Sequence, residues 1–357
     1  MSRVPSSSKP SSILLVRLSS LGDVVLATPL ARALRRTFPE ARIDVAVAAE
    51  FADVWKNNPH INEVLTVDRK KSAPASALAL RRDASLKRYD MVVDLQNNIR
   101  SLCLRLGFAH RSVRCKKYRH EKRALVKYGS KAAALPHVVS RYFEAVSSLG
   151  VRNRNDVPEL WLEEDVRSER SESQARSCGS AVQRGDVHRV VVAPGAKHAT
   201  KRWITEGFAR TIHELATRGY EVHIVGSKED RTVCTAVYDA LTRHARECTT
   251  LKMVDTLEQT IRIVDAASCV LANDSSIVHM AAARGIPVAV IYGSTVPALG
   301  FTPYGVRHVV VETAEACRPC THIGRAECPQ AHFRCMRSIQ TSAVIDAVVG
   351  LCEEKVQ

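Results

Sequence analysis

The residues able to do chemistry sit where short apolar runs end. The first such place is Ser19-Ser20-Leu21-Gly22-Asp23, directly after the run Ile13 to Leu18. Gly22 permits a tight turn, and Asp23 stands where a strand gives way to a helix. An aspartate there serves either as a helix N-cap or as a general base that takes a proton from a hydroxyl nucleophile. The second place is Val192-Ala193-Pro194-Gly195-Ala196, followed by Lys201-Arg202-Trp203. A glycine loop offers backbone N–H groups to a phosphate, and Lys201 adds a point charge; the plain alternative is a solvated loop with a capped helix nearby. The third is Asn273-Asp274-Ser275-Ser276-Ile277-Val278-His279. Here Ser275 and Ser276 bring hydroxyls and unpaired N–H groups to a helix start. His279 follows one turn in, at a position where a histidine is more often structural than a ligand. Tyr292-Gly293-Ser294-Thr295 ends the next run and is placed to close the same pocket. Neither a G-x-x-x-x-G-K-[ST] nor a G-x-G-x-x-G sequence occurs, so a P-loop and a standard dinucleotide site have no support.

Two further clusters stand out. Cys317, Cys320, Cys328 and Cys335 bring four thiols into one short segment, matching an all-thiolate zinc or iron site in ligand type and count. The spacing is not that of a symmetric zinc ribbon, and four reduced thiols are the equal alternative. The stretch from His110 to Lys127 holds eight Lys or Arg against one acidic residue, Glu121. Such a run is usually a solvated face, but this one calls for an anion nearby. RNA is one candidate, yet the aromatic content of 5% and the lack of an RNA-binding motif count against nucleic acid.

The elements that must hold these residues follow from the hydrophobic pattern. Strands are predicted at 13–18, 42–48, 63–67, 90–94 and 112–115, with helices at 24–38, 75–87 and 99–106 between them. A second alternation has strands at 187–193, 221–225, 269–272 and 287–292, with helices at 205–218, 231–246, 256–267 and 275–284. Strands alternating with helices imply βαβ units and parallel sheets. The 357 residues are enough for two cores. The expected division is a disordered tail at 1–12, an N-terminal domain at 13–160, a linker at 161–186 and a C-terminal domain at 187–357, with a cleft between the two sheets. Hydrophobic residues at 45% and charged residues at 25% exclude a disordered chain. No apolar run approaches the ~20 residues of a spanning helix. Fifty-two Lys and Arg against 37 Asp and Glu give a net charge of +15, which favours an anionic partner. Eleven cysteines behind a polar, Ser-rich N-terminus fit reduced thiols in a cytoplasmic protein.

Taken together, several segments resemble the ADP-heptose:lipopolysaccharide heptosyltransferases of glycosyltransferase family 9. They are Ile13 to Asp23, Thr28-Pro29-Leu30, Asn58-Pro59-His60-Ile61, Asp94-Leu95-Gln96, Asn273-Asp274-Ser275 with His279, Phe301-x-Pro303-Tyr304-Gly305, and Cys317-Arg318-Pro319-Cys320 through Cys335-Met336. The resemblance implies a GT-B fold, two Rossmann-like doubly wound parallel-sheet domains facing a central cleft. It implies an inverting transferase, needing no cofactor for catalysis, that moves a heptose from ADP-L-glycero-D-manno-heptose to the lipopolysaccharide inner core. By position, Asp23 corresponds to the general base and Lys201 to a lysine on the donor diphosphate. Gly195, Glu229, Thr256, Asp274, Ser275, Ser276 and His279 fall on the donor side; Gln96, Arg100, Lys116 and Arg123 fall on the acceptor side. The four cysteines would form a structural metal site. Ser276 and Asn97 stand where the family usually has glycine.

The acceptor so implied, an inner-core saccharide or lipid A bearing phosphates and carboxylates, suits the basic stretch. It also implies peripheral contact with the anionic cytoplasmic face of the inner membrane. Two other functions remain as alternatives: a different nucleotide-sugar enzyme of the same fold, either an epimerase or a transferase of another sugar, and an RNA-binding protein.

Overall fold

The computed structural model describes residues 9–82, 88–166 and 188–353. They fall into two units. One takes in 9–117 and 138–166, the other 118–137 and 188–353.

The first unit is built on five strands, β1 (Ser12–Val16), β2 (Arg42–Ala48), β3 (Glu63–Val67), β4 (Tyr89–Asp94) and β5 (Ala109–Arg114), in the order β3-β2-β1-β4-β5. Every neighbouring pair is parallel. Ile13, Leu15 and Val16 are fully buried, as are Val92 and Val93. Such near-continuous apolar runs are what a parallel sheet covered on both faces requires. Its helices are α1 (Leu21–Val25), α2 (Thr28–Thr37), α3 (Ala73–Arg82) and α4 (Ile99–Phe108). Next in the chain, α5 (Arg119–Tyr128) groups with the second unit, and α6 (Val138–Val146) returns to the first.

In the second unit, six parallel strands run in the order β11-β10-β9-β6-β7-β8. They are β6 (Arg189–Ala193), β7 (Glu221–Gly226), β8 (Thr249–Met253), β9 (Cys269–Asn273), β10 (Val288–Ile291) and β11 (His308–Val311). The helices here are α7 (Thr205–Thr217), α8 (Arg231–Asp239), α9 (Arg243–Glu247), α10 (Leu257–Asp265), α11 (Ser276–Ala283), α12 (Arg334–Arg337) and α13 (Thr341–Glu353). Phe208, Ile212 and Leu215 on α7 and Val344 and Val348 on α13 join strand residues Val190, Val222 and Leu271 in one core cluster.

The structure corrects the sequence reading in four places. Residues 11 and 12 do not belong to a tail, because β1 begins at Ser12 and the Ser11 N–H and hydroxyl both donate to Asp90 Oδ2, at 2.8 and 2.6 Å. Residues 118–137 leave the N-terminal domain: Leu125 and Leu135 pack with Leu299 of the second unit. The helix expected at 24–38 is two helices, so Asp23 lies inside α1 and not ahead of it. The helix expected at 231–246 is likewise two, divided at 240–242 before the Thr242 cap of α9. Most of the expected linker, 167–186, and residues 1–8 lie outside the described residues. No helix among the described residues is long and apolar enough to cross a membrane.

Candidate active site

Both sheets change winding direction beside the first strand of their unit. In the first unit the chain runs from β1 out to β2 on one side and to β4 on the other. In the second it runs from β6 to β7 on one side and to β9 on the other. The loops leaving the C-terminal ends of strands at such a switch point form the natural ligand crevice of an open α/β sheet. Asp23 follows β1 and Gln96 follows β4; Lys201 follows β6 and Asp274 follows β9.

At the first switch point, Gln96 Oε1 accepts from the Leu18 and Ser19 N–H groups at 3.0 and 3.1 Å, so the β4 loop holds the β1 loop in place. Asp23 is the third residue of α1 and closes a reciprocal capping box with Ser20. Its Oδ2 accepts from the Ser20 N–H at 3.1 Å and the Ser20 hydroxyl at 2.8 Å. Its Oδ1 pairs with Arg17 Nη2 at 2.6 Å, and the Tyr142 hydroxyl reaches it at 3.5 Å. Asp23 is therefore not the N-cap of α1, a position Ser20 takes, and its carboxylate sits in a polar nest of Ser20, Arg17 and Tyr142. Burial pushes the Asp23 pKa up, but the Arg17 charge and the Ser20 bonds pull it down by more, so it lies below its ordinary value. Tyr142 moves the other way; burial holds its phenol well above the usual range, hence neutral.

At the second switch point, Lys201 Nζ lies 2.6 Å from Asp274 Oδ2, with only 15% and 10% of the two side chains exposed. The Thr295 hydroxyl, from the loop after β10, donates to the same Oδ2 at 2.7 Å. Asn273 braces the β6 loop: its Oδ1 accepts from the Trp203 N–H at 3.0 Å and its Nδ2 donates to the Pro194 carbonyl at 2.8 Å. Ser275 is the N-cap of α11, and its side chain makes no capping bond, so the first N–H groups of that helix keep their capacity for an anion. Ser276 is the first residue of α11, and His279 lies buried in its second turn.

The remaining expected donor residues share this edge, each following a strand. A Cβ on Gly195, after β6, would meet Asp230 Oδ1 at 2.2 Å, so only glycine lets that loop approach the turn after β7. In that turn Glu229 is exposed, and bonds from its own N–H and from Ser227 hold its carboxyl below the usual value. Thr256, after β8, caps α10 through its hydroxyl, which accepts from the Gln259 N–H at 3.2 Å.

The expected acceptor residues are divided between the two units. Arg100 is spent on structure: its guanidinium donates to the Lys71 carbonyl at 2.8 Å, the Ser76 hydroxyl at 2.7 Å and the Arg69 carbonyl at 3.2 Å. Lys116 and Arg123 are both exposed, but the first belongs to the first unit and the second to the other. Asn97, where a glycine is usual, has φ of +46°. Asn is one of the few side chains that tolerates the left-handed region, so the backbone turn is kept.

Cys317, Cys320, Cys328 and Cys335 line one small cavity of about 10 Å³, together with Thr200, Ser294, Arg318 and Phe333. That is room for about one water molecule or ion. Cys317 Sγ lies 3.9 Å from His332 Nε2. Among the described residues, however, no three His, Cys, Asp or Glu side chains are gathered closely enough to hold a metal as they stand. The donor set therefore fits zinc or iron in type and number, while the thiol positions require side-chain rotation to converge.

Three participants were missed from sequence, Arg17, Tyr142 and Arg318, whereas Thr295 was expected to close this pocket and meets Asp274. Arg17 had a signal, a lone charge closing an apolar strand. Tyr142 had none, because its partner lies 119 residues away.

A family model described as glycosyltransferase family 9 (heptosyltransferase) matches residues 77–330. The chain is 28% identical over 300 residues to lipopolysaccharide heptosyltransferase 2 of Escherichia coli K12, covering 82% of this chain and 84% of that one. Among solved structures, a family 9 glycosyl transferase from Veillonella parvula has a TM-score of 0.74 at 19% identity, over 97% and 98% of the two chains. The E. coli ADP-heptose lps heptosyltransferase II has a TM-score of 0.67 at 23% identity, over 96% and 98%. The iron-containing dodecameric glycosyltransferase TibC of enterotoxigenic E. coli has a TM-score of 0.56 at 16% identity, over 98% and 81%. The two parallel-sheet α/β units are those of the GT-B class.

Proposed function

The chain belongs to glycosyltransferase family 9, and from that premise we propose that it transfers a heptose, with inversion, from an ADP-heptose to the inner core of lipopolysaccharide. The observation that carries this reading is the pair of switch points. One holds an ionised carboxylate, Asp23; the other holds a lysine and a helix N-terminus, Lys201 and α11. A base and a diphosphate grip are the two things a single displacement at an anomeric carbon needs.

The acceptor hydroxyl gives its proton to Asp23 while its oxygen bonds to the anomeric carbon. On the opposite face the bond from that carbon to the β-phosphate oxygen breaks, and its electron pair leaves with ADP. One displacement inverts the configuration. Lys201 and the N–H groups opening α11 stabilise the charge that develops on ADP, which is commonly the largest single contribution to such a reaction. The carboxylate has about four acceptor sites. Ser20 fills two and Arg17 one, so the acceptor hydroxyl displaces the most distant partner, Tyr142 at 3.5 Å. When the donor diphosphate binds, Lys201 turns from Asp274 toward phosphate, and Thr295 still satisfies the Asp274 carboxylate.

Two supporting features belong to the same reading. Ile99 and Leu106 on α4 are 71% and 73% exposed, and Leu78 on α3 is 50% exposed. With Lys70 and Lys71 just ahead of α3, they give the first unit an apolar and basic surface suited to an anionic bilayer. The four cysteines would hold a zinc or iron ion as a structural cross-link, as the iron of TibC gives precedent for among neighbours of this fold; the transfer step uses no metal.

The test is incubation with ADP- and UDP-sugars and defined inner-core acceptors, with products read by mass spectrometry. Acceptor gaining one heptose from the ADP donor supports the reading. Transfer from UDP-sugars alone, or a changed sugar with no acceptor present, would replace it with another nucleotide-sugar chemistry.

A further inference from the structure

The donor grip and the thiol cavity share a wall made of two consecutive-residue pairs. In Thr200-Lys201, Lys201 reaches Asp274 while Thr200 lines the cavity of the four cysteines. In Ser294-Thr295, Thr295 reaches the same Asp274 oxygen while Ser294 lines that cavity. The two cavity-side hydroxyls meet each other, Ser294 Oγ donating to Thr200 Oγ1 at 3.0 Å. Thr200 is also clipped to the Cys-rich segment. Its N–H and hydroxyl donate to the Arg325 carbonyl at 3.2 and 3.1 Å, and the Arg325 N–H donates back to its Oγ1 at 2.8 Å. Arg318, inside the Cys317–Cys320 pair, ties down the other pair from the same segment. It donates to the carbonyls of Gly293 at 2.5 Å and Thr295 at 3.0 Å, and pairs with Glu312 at 2.6 Å.

The four residues that form and brace this wall are buried. Thr200 is 3% exposed, Ser294 1%, Thr295 2% and Arg318 9%. Nothing in the displacement chemistry uses Thr200, Ser294 or Arg318, yet the backbones of Thr200 and Ser294 are continuous with Lys201 and Thr295, the two residues that fix Asp274. We propose that Thr200 and Ser294 are positioning residues, a hydroxyl strut through which the Cys-rich segment sets how firmly Lys201 and Asp274 are held. The inference deepens, and for its catalytic consequence rests on, the reading of Lys201 as the donor-diphosphate lysine.

The test reads Lys201 directly in the full-length protein. Amine acetylation by acetic anhydride is followed by peptide mass spectrometry, and the rate at Lys201 is divided by the rate at Lys228, whose side chain is 71% exposed. Thr200→Val keeps the branched shape and removes the hydroxyl; Ser294→Ala removes its partner; Thr200→Ser keeps a hydroxyl. Losing one buried hydrogen bond corresponds to roughly a three- to tenfold change in an equilibrium. The ratio should rise by about that factor in Thr200→Val and Ser294→Ala, and stay at the wild-type value in Thr200→Ser. A wild-type ratio in both Thr200→Val and Ser294→Ala would overturn the proposal. A raised ratio in Thr200→Ser as well would do the same, because the effect would then track packing and not the hydroxyl. A parallel wild-type sample with ADP scores the donor reading separately: ADP protecting Lys201 upholds that reading, and no protection at saturating ADP would remove it while the strut result stands on its own arm.

Discussion

Arg17 Nη2 lies 2.6 Å from Asp23 Oδ1, and the same guanidinium is anchored to the Leu95 carbonyl through Nη1 at 2.8 Å. Arg17, the first residue after β1, is thus fixed to the residue that follows β4 and holds the carboxylate at the head of α1. In the proposed role of base, a carboxylate kept ionised in this way is always ready to accept a proton but is intrinsically weak. Its contribution must come from position, next to the hydroxyl that attacks.

The pH dependence follows from that pair. Burial alone would raise the Asp23 pKa; the Arg17 charge and Ser20 bonds more than reverse it. With the folded pKa below the unfolded one, the stabilisation by Asp23 is present above the unfolded pKa of about 3.9. It is lost as the pH falls through the folded value. The acid limb of kcat/KM belonging to Asp23 should therefore lie below about pH 4. Arg17→Met should move that limb upward by about 1–3 units, and Arg17→Lys should restore most of the shift. An unmoved limb in Arg17→Met would detach Asp23 from the base role.

Lys201 and Asp274 should behave differently when each is removed. Lys201→Ala takes away the charge that meets the diphosphate, so ADP affinity should fall by tenfold or so, about 1.4 kcal/mol. It also leaves Asp274 buried with only the Thr295 bond. Breaking a buried pair from one side costs about 3–5 kcal/mol in well-buried cases, so the melting temperature should drop as well. Asp274→Asn, which keeps an acceptor for Thr295, should melt closer to wild type. Isothermal calorimetry with ADP and thermal unfolding read both effects, and unchanged ADP affinity in Lys201→Ala would contradict the assignment.

Protein purified without chelator should contain about one equivalent of zinc or iron by elemental analysis, and Cys317→Ser or Cys335→Ser should lose it together with thermal stability. Wild-type protein that is folded, active and free of both metals would show that the thiols are simply reduced.

Sedimentation with vesicles should report the exposed face of α3 and α4. Binding is expected to vesicles rich in anionic lipid, weakening as salt rises, and Ile99→Ser combined with Leu106→Ser should reduce it. Equal sedimentation of that double variant with wild type would remove this face as the contact.

The parts legible in the sequence were those whose signal is local. β2 and β3 carry apolar residues between clear breakers and match their expected limits, 42–48 and 63–67. β8, Thr-Thr-Leu-Lys-Met, shows no such pattern because it is an edge strand in which only Thr249 is buried. Helix α5 lies inside a stretch dominated by charge, which masks its pattern. At the site, Asp23, Lys201, Asp274, the Ser275 cap and Thr295 were readable from loops that follow strands, whereas Arg17 and the Thr200–Ser294 contact depend on which loops the sheet order makes adjacent. Some motif residues prove to be structural. Asn58 Nδ2 donates to Glu159 Oε1 at 3.0 Å, and the Thr28 hydroxyl accepts from the Glu159 N–H at 2.9 Å. Those two segments pin the chain around residue 159 to the first sheet, a task no spacing rule reveals.

The most direct test of the account is the Asp23→Asn variant, assayed for heptose transfer from ADP-heptose to an inner-core acceptor and, in parallel, for ADP binding. Loss of a positioned general base should cut turnover by about 100- to 10,000-fold with ADP affinity unchanged. Turnover at the wild-type rate, with the substitution verified by mass spectrometry, would contradict it.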